Sequence, residues 1–333
     1  MSISRKPDSD EIKAFLGELK IKPWLGPARL WWPDFLFRFD NLVSAAKILN
    51  SGKLLARSKA IESGVMTSDS ASPGVIGSTP DRWLGYARLY FRPRTPTQFR
   101  NEGFRPKDSL SLGAHCPIPI VMLFKSLEIL TRSDAIFSDG NLASSIVKTG
   151  NDIKFLKSIP FEDVYHDTAC DEEEKRSIIF HRHAEVAIHN ELDLSSLSYI
   201  FCRTQAELET LLSHLDPSAK VKYASLLGAK ANLHFRRWSF IELAELSNKE
   251  VHFKFNPSSK TPGPFIARVE ILEDNTNILY SYESKSFYSN SDDSTFKVSL
   301  EKLQYPDNYW VSLFLDGNLA YKNHFEGEGD IPF

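Results

Sequence analysis

From about residue 228 onward the chain is a succession of short β-rich runs: VHFKF, FIARVEI, ILYSYES, FKVSL, YWVSLFL and LAYKN. Turn signals separate them, among them Pro262-Gly263, Glu273-Asp274-Asn275 and Asp316-Gly317-Asn318. Strands of this length, punctuated this often, predict an antiparallel β-sandwich. The runs alternate apolar and polar residues, as in Phe265 to Ile271, and no acid–base cluster stands out among them. Chemistry is therefore expected upstream. The 333 residues suit about two domains. The sequence divides into a helical extension over 1–33, an α+β domain over 34–216, a linker over 217–230 and the sandwich over 231–333.

The formal net charge of −3 does not advertise a polyanion partner for the molecule as a whole, so any nucleic-acid site must be a local patch. Cys116, Cys170 and Cys202 are far apart and form no C-x-x-C pair. Neither a disulfide framework nor a thiolate zinc cage is expected. The opening MSISRKPDSDEIKAF lacks the apolar core of a signal peptide, and no run reaches the ~18–20 apolar residues of a membrane span. The expectation is a cytoplasmic protein with no membrane partner.

Within the α+β part, residues 9–20 predict a helix capped by Ser9, with Ile12, Phe15, Leu16 and Leu19 on one face, and Pro23 stopping it. Trp31 to Phe39 (WWPDFLFRF) predicts a strand. Leu42 to Leu49 predicts a helix stopped by Gly52. The Ser/Gly/Thr/Pro-rich stretch 61–80 predicts a loop. Strands are expected around Tyr86 to Phe91, Ile118 to Phe124 and Ala135 to Phe137, the last running into a Ser138-Asp139-Gly140 turn. Phe161 to Ser177 is polar and acidic and predicts a loop. Ile178 to Ile188 predicts a strand, and Gln205 to Leu215 a helix.

Two stretches can carry chemistry. On a strand, FHRHAEVAIH would put His181, His183, Glu185, Ala187 and His189 on one face, with Val186 and Ile188 toward a core. Three readings fit: a solvated polar face, a His181/His183/Glu185 metal site, or a catalytic glutamate. The second stretch, Arg82 to Arg105, holds six arginines and one acid, Glu102, interleaved with Trp83, Tyr86, Tyr90, Phe91, Phe99 and Phe104. Arginines grip phosphates bidentately and rings stack on bases. The plain alternative is a decorated, exposed strand edge. There is no G-x-G-x-x-G fingerprint and no P-loop.

In order along the chain, FLFRFDNLVSAAKILNSGKLLARS, GYARLYFRPRTPTQF, AIFSDGNLA, VYHDT and RHAEVAI resemble the DarT family of toxin ADP-ribosyltransferases. That family shows an opening strand and helix ending in S-G-x-L, a Y-F-x-P-R-[ST]-P segment, an F-[ST]-D-G-[HN] turn and a Q/H-A-E strand. The resemblance spans about Phe35 to Leu215. It implies an ADP-ribosyltransferase-like split β-sheet with helices, NAD as co-substrate, and transfer of ADP-ribose to a base of single-stranded DNA or RNA. It also implies a toxin in a toxin–antitoxin or anti-phage system, with a cognate antitoxin that is a macrodomain hydrolase or an inhibitory protein.

By this resemblance Glu185 is the catalytic residue. Arg38, Asp40, Arg94 and Tyr90 are expected to bind NAD. Tyr165, His166 and Asp167 fall on the segment that faces the acceptor, and Arg92 and Arg100 are expected to bind nucleic acid. One departure is Arg38, which stands where the family's first strand carries a histidine. The family's second catalytic arginine has three candidates, Arg57, Arg82 and Arg94. Competing readings are a non-catalytic nucleic-acid-binding module and a metal-dependent enzyme built on His181, His183 and Glu185.

Overall fold

The computed structural model describes residues 4–63, 79–110, 115–274, 276–304 and 306–327. Of the stretch read as a loop at 61–80, residues 64–78 lie outside the described residues, as does Asn275 of one turn signal. The fold divides into two compact units. The first comprises Met1–Asp40, Lys47–Arg100 and Val121–Ile200; the second comprises Asn41–Ala46, Asn101–Ile120 and Phe201–Phe333.

The first unit is built on strands β1 (Phe35–Asn41), β2 (Lys53–Leu55), β3 (Tyr86–Tyr90), β4 (Pro119–Lys125), β5 (Ile136–Ser138), β6 (Thr149–Gly150), β7 (Glu185–His189), β8 (Glu191–Asp193) and β9 (Leu197–Cys202). Seven of them lie side by side in the order β9-β4-β1-β3-β7-β5-β6, while β2 and β8 form a separate pair. Interior strand β4 is buried at Pro119 through Phe124, as its continuous apolar run requires of a strand covered on both faces. Strand β7 pairs antiparallel with both neighbours, Tyr90 opposite Glu185 on β3 and Phe137 opposite Val186 on β5.

The N-terminal helix is Ser9–Lys20, with Ile12, Phe15 and Leu19 buried. Its cap is Asp8 rather than Ser9, whose hydroxyl donates to the Lys6 carbonyl instead. The expected strand at Trp31 begins only at Phe35, because Pro33 sits inside a 3-10 turn over Trp32–Asp34. The Leu42–Ser51 helix does end at Gly52, which adopts a φ of 71°.

The largest departure lies before β7. The stretch read as a loop holds a short helix, Phe161–Val164, and the start of a longer one, Glu172–His181. Glu172, Glu173 and Glu174 occupy the first turn of that helix, where carboxylates complement the helix dipole. The strand read as Ile178 to Ile188 is therefore helix through His181 and strand only from Glu185. Its apolar run suits either state, and three-dimensional packing chose helix for the first half.

In the second unit, β11 (Ile241–Leu246), β12 (Glu250–Phe255) and β15 (Thr295–Ser299) form one antiparallel sheet, after the short strand β10 (Leu227–Ala229). Strands β14 (Ile278–Phe287), β13 (Phe265–Leu272), β16 (Asn308–Leu315) and β17 (Asn318–Glu326) form the other, in that order. Phe287 meets Phe296 at 4.9 Å and Phe253 meets Tyr321 at 5.4 Å between ring centroids, so aromatic side chains fill the space between the sheets. This is the expected sandwich. Residues upstream also belong to this unit. Buried Arg203 is held by Glu207, by Glu102 at 3.4 Å, by the Pro117 carbonyl at 2.9 Å and by the Phe240 ring at 4.2 Å. That cluster fastens Asn101–Ile120 to the residues after Phe201.

Candidate active site around Glu185

Glu185 opens β7 and is only 2% exposed. Its backbone N–H donates to Ser138 Oγ at 2.9 Å, and Ser138 in turn lies 2.8 Å from the Gly140 carbonyl. The carboxylate is thinly supported. Oε1 lies 3.5 Å from the Leu142 N–H, Oε2 lies 3.7 Å from Arg88 Nη1, and Oε2 has no hydrogen-bond partner. Burial pushes the Glu185 pKa up; Arg88, the Leu142 N–H and Arg38 pull against it. A buried acid with an unused oxygen is costly to leave in place, and such groups concentrate where a ligand completes the set.

The neighbours follow from strand register. Tyr90 stands opposite Glu185, and Arg88 opposite Ala187. Tyr90 stacks on Phe39 at 6.3 Å with the rings 19° apart. Burial first, and the Glu185 charge second, push the Tyr90 phenol pKa up, so it stays protonated. Arg38 forks onto both oxygens of buried Asp40 at 2.7 Å each, and its Nη1 reaches the Arg88 carbonyl at 3.3 Å. The Ser138–Leu142 loop is clamped from the other side. His181 Nδ1 lies 2.6 Å from the Asp139 carbonyl, and the Phe180 ring presses so closely on Gly140 that a Cβ there would meet it at 2.3 Å.

A second cluster anchors the segment around Tyr165 to Asp167. Arg92, 2% exposed, bonds the Pro93 carbonyl at 3.0 Å, the Val164 carbonyl at 3.2 Å, the His166 carbonyl at 2.5 Å and the Asp167 carboxylate at 2.9 Å. Its guanidinium also lies over the Trp32 ring at 5.4 Å. Arg94, whose φ of 53° is uncommon for a residue with a Cβ, shares Asp167 from the other side. Arg182 donates to His166 Nδ1 at 2.6 Å; burial and the arginine charges lower the His166 pKa, favouring the neutral ring.

A family model described as ssDNA thymidine ADP-ribosyltransferase, DarT, matches residues 37–227, more than half of the chain. The chain belongs to the DarT family. It is an NAD-dependent ADP-ribosyltransferase, with NAD as co-substrate. Among solved structures, this DarT-family chain is similar to Thermus sp. 2.9 DarT in complex with NAD+, at 13% identity over 61% of this chain and 98% of that one, with a TM-score of 0.46. It is also similar to Thermus sp. 2.9 DarT in complex with ADP-ribosylated ssDNA, at 14% identity, 61% and 97% coverage and a TM-score of 0.47. A third is Thermosipho africanus DarTG in complex with ADP-ribose, at 17% identity, 64% and 53% coverage and a TM-score of 0.48. A search of curated proteins finds no match.

In this DarT-family chain several expected residues come together and others do not. Glu185, Tyr90, Arg38 and Asp40 gather on adjacent strands. Arg94 and Asp167 meet beside His166. Arg100 is exposed at the end of the Pro96–Asn101 helix, next to Phe99 at 38% exposure. Two expectations are corrected by burial. Arg92 spends its donors inside the protein, so it positions the 164–167 segment rather than touching nucleic acid. Tyr165 is 1% exposed and packs on Trp24, Trp32 and Phe161, so it is core.

The shared face drawn through His181, His183 and Glu185 is also corrected. His181 ends a helix, and His183 lies in the turn after it, its Nδ1 2.9 Å from the Ile179 carbonyl and its Nε2 3.2 Å from Thr97 Oγ1. Both ring nitrogens of His183 are thus engaged, and among the described residues no cluster of His, Cys, Asp or Glu could hold a metal. Sequence reading missed Arg88, Ser138 and the Leu142 N–H. Strand parity could have found Arg88, two residues from Tyr90 and so on the sheet face that Glu185 shares. Ser138 and Leu142 lie in the AIFSDGNLA turn motif, but their contacts to Glu185 depend on that loop folding over β7. Of the candidate second arginines, Arg82 is exposed over Trp83 and Arg57 begins a short helix. No helix among the described residues is long and apolar enough to cross a membrane.

Proposed function

We propose that the chain transfers ADP-ribose from NAD to a base of single-stranded DNA, with Glu185 as the catalytic carboxylate. The observation that carries this reading is the buried Glu185 carboxylate with an unpartnered Oε2 beside Arg88 and Tyr90. Cleavage of the nicotinamide–ribose bond builds positive charge on the ribose, and nicotinamide leaves with the bonding pair. A fixed carboxylate near that carbon stabilises the charge and holds a ribose hydroxyl. It then accepts the proton released by the acceptor nitrogen as the new C–N bond forms. The raised pKa of Glu185 suits that proton transfer. Arg38, Asp40, Tyr90 and Arg94 are assigned to NAD, and His166, Asp167 and Arg100 to the acceptor. The family description supports single-stranded DNA as the acceptor. The biological setting proposed is a cytoplasmic toxin restrained by a cognate antitoxin, in defence against phage. Labelled NAD offered with matched single-stranded DNA, duplex DNA, RNA and protein tests the reading. Label passing to protein alone would overturn it.

A further inference from the structure

Among the described residues of the second unit, Arg105 is a buried positive charge that no carboxylate pairs with. One antiparallel bridge joins Phe104 to Ser239, with N–H to carbonyl distances of 2.7 and 3.2 Å. Gly103 permits the approach: its φ is +79°, and a Cβ there would stand 2.7 Å from the Trp238 Cβ. The bridge sets Arg105 beside Trp238, its guanidinium 5.0 Å from the indole centroid, while that of Arg237 lies 4.6 Å from the same ring. Arg105 is 4% exposed, and its Nε and Nη2 are buried without a hydrogen-bond partner.

The other deeply buried arginines are built differently. Arg92 has Asp167 and three carbonyls; Arg203 has two glutamates and a carbonyl. An indole face attracts a guanidinium, but it supplies no acceptor for a buried N–H. An unanswered buried donor and an unpaired buried charge both disfavour the fold. Burial and the like charge of Arg237 push the Arg105 pKa down, and a bound anion would oppose that shift by favouring the charged guanidinium. The planar donor fork of arginine matches a phosphate.

We propose that Arg105 and Arg237, oriented by Trp238, form an anion site that takes a phosphate of the single-stranded acceptor. This rests on the reading of nucleic acid as the acceptor. The chemistry could also be met by the pyrophosphate of NAD, so the test carries arms for both.

The intact chain, Arg105→Met and Arg237→Met are compared by melting temperature, with and without inorganic phosphate, and by titration with a labelled single-stranded oligonucleotide and with NAD across a range of salt. Without ligand, Arg105→Met is expected to melt no lower than wild type, because the donors it removes are unanswered. Oligonucleotide affinity should fall about tenfold, the scale of one charged hydrogen bond. The salt slope should become shallower by ~0.7, one phosphate contact on a single strand. Arg237→Met, at a more accessible position, should move affinity and slope in the same direction even if Arg105→Met fails to fold. Unchanged affinity and slope in both folded variants overturns the site. A loss of NAD affinity with oligonucleotide binding intact overturns the assignment to the strand. If wild type binds no oligonucleotide, yet phosphate raises its melting temperature and not that of Arg105→Met, the anion site stands and the nucleic-acid reading fails.

Discussion

Replacing Glu185 with Gln separates catalysis from stability because the two respond in opposite directions. In the folded protein the carboxylate has one hydrogen bond at the 3.5 Å limit and one ion pair at 3.7 Å, and it is almost wholly shielded from water. Attraction to Arg88 at that distance amounts to about 4 kcal/mol at an effective dielectric constant of ~20. Desolvating a carboxylate costs several kcal/mol, of similar size and opposite sign. The charge is therefore near neutral for stability or unfavourable, and Glu185→Gln should leave the melting temperature within a few degrees of wild type or raise it. The pH dependence has a definite sign. A carboxyl group whose folded pKa is raised favours the protonated folded form. Its stabilising effect is complete below the unfolded value of about 4.3 and is lost as pH rises through the folded value. The stability advantage of Gln over Glu should thus grow as pH rises above about 4.3. Transfer should fall by about 10²- to 10³-fold, or ~2.7–4 kcal/mol of transition-state stabilisation, the scale for removing one fixed electrostatic group. NAD affinity should change little, because the charge matters mainly in the transition state. The assays are NAD consumption, label transfer to single-stranded DNA, and thermal melting from pH 5 to 8. A folded Glu185→Gln protein with normal transfer refutes the catalytic assignment. A variant that melts many degrees lower refutes the account of the carboxylate as under-supported.

Arg92→Met should destabilise the fold by roughly 3 kcal/mol, because it strands buried carbonyls and half of the Asp167 pairing, and denaturant titration measures this; among molecules still folded, transfer to DNA should suffer more than NAD consumption does. His183→Asn should retain most activity, with chelators without effect. Burial holds the His183 pKa at about 4, below its unfolded value near 6.5, so wild type loses stability as pH falls through that interval and the variant does not; the stability difference between them, followed by melting, should therefore shrink toward pH 4. Expressed apart, residues 1–228 should carry NAD consumption and 229–333 should not, while the cut should lower the melting temperature of the larger piece, since Glu102 loses the backbone N–H of Arg236 at 2.7 Å. NAD consumption by the C-terminal piece would remove the chemistry from Glu185.

Periodicity and turn chemistry alone were enough for the sandwich: each of the six C-terminal runs is a strand, because alternation reports which side faces the core. The same logic located the Ser9–Lys20 and Gln205–His214 helices, and the ordered motifs from Phe35 to Leu215 were enough to indicate the family. Sequence failed where a segment suits two states or where a role depends on distant residues. Ile178 to Ile188 is apolar enough for strand or helix, and only packing against the Ser138–Leu142 loop divides it at His181, which takes His181 and His183 off the Glu185 face. An arginine in a basic stretch reads as a surface contact, yet Arg92 lies inside because the Val164 to Asp167 segment folds over it and supplies its acceptors. Residue type and spacing determine which side chains are able to do chemistry. Burial and partners determine which of them are left unsatisfied, and for Glu185 and Arg105 that is a property of the folded chain, since the neighbours that shield them come from segments far away in sequence.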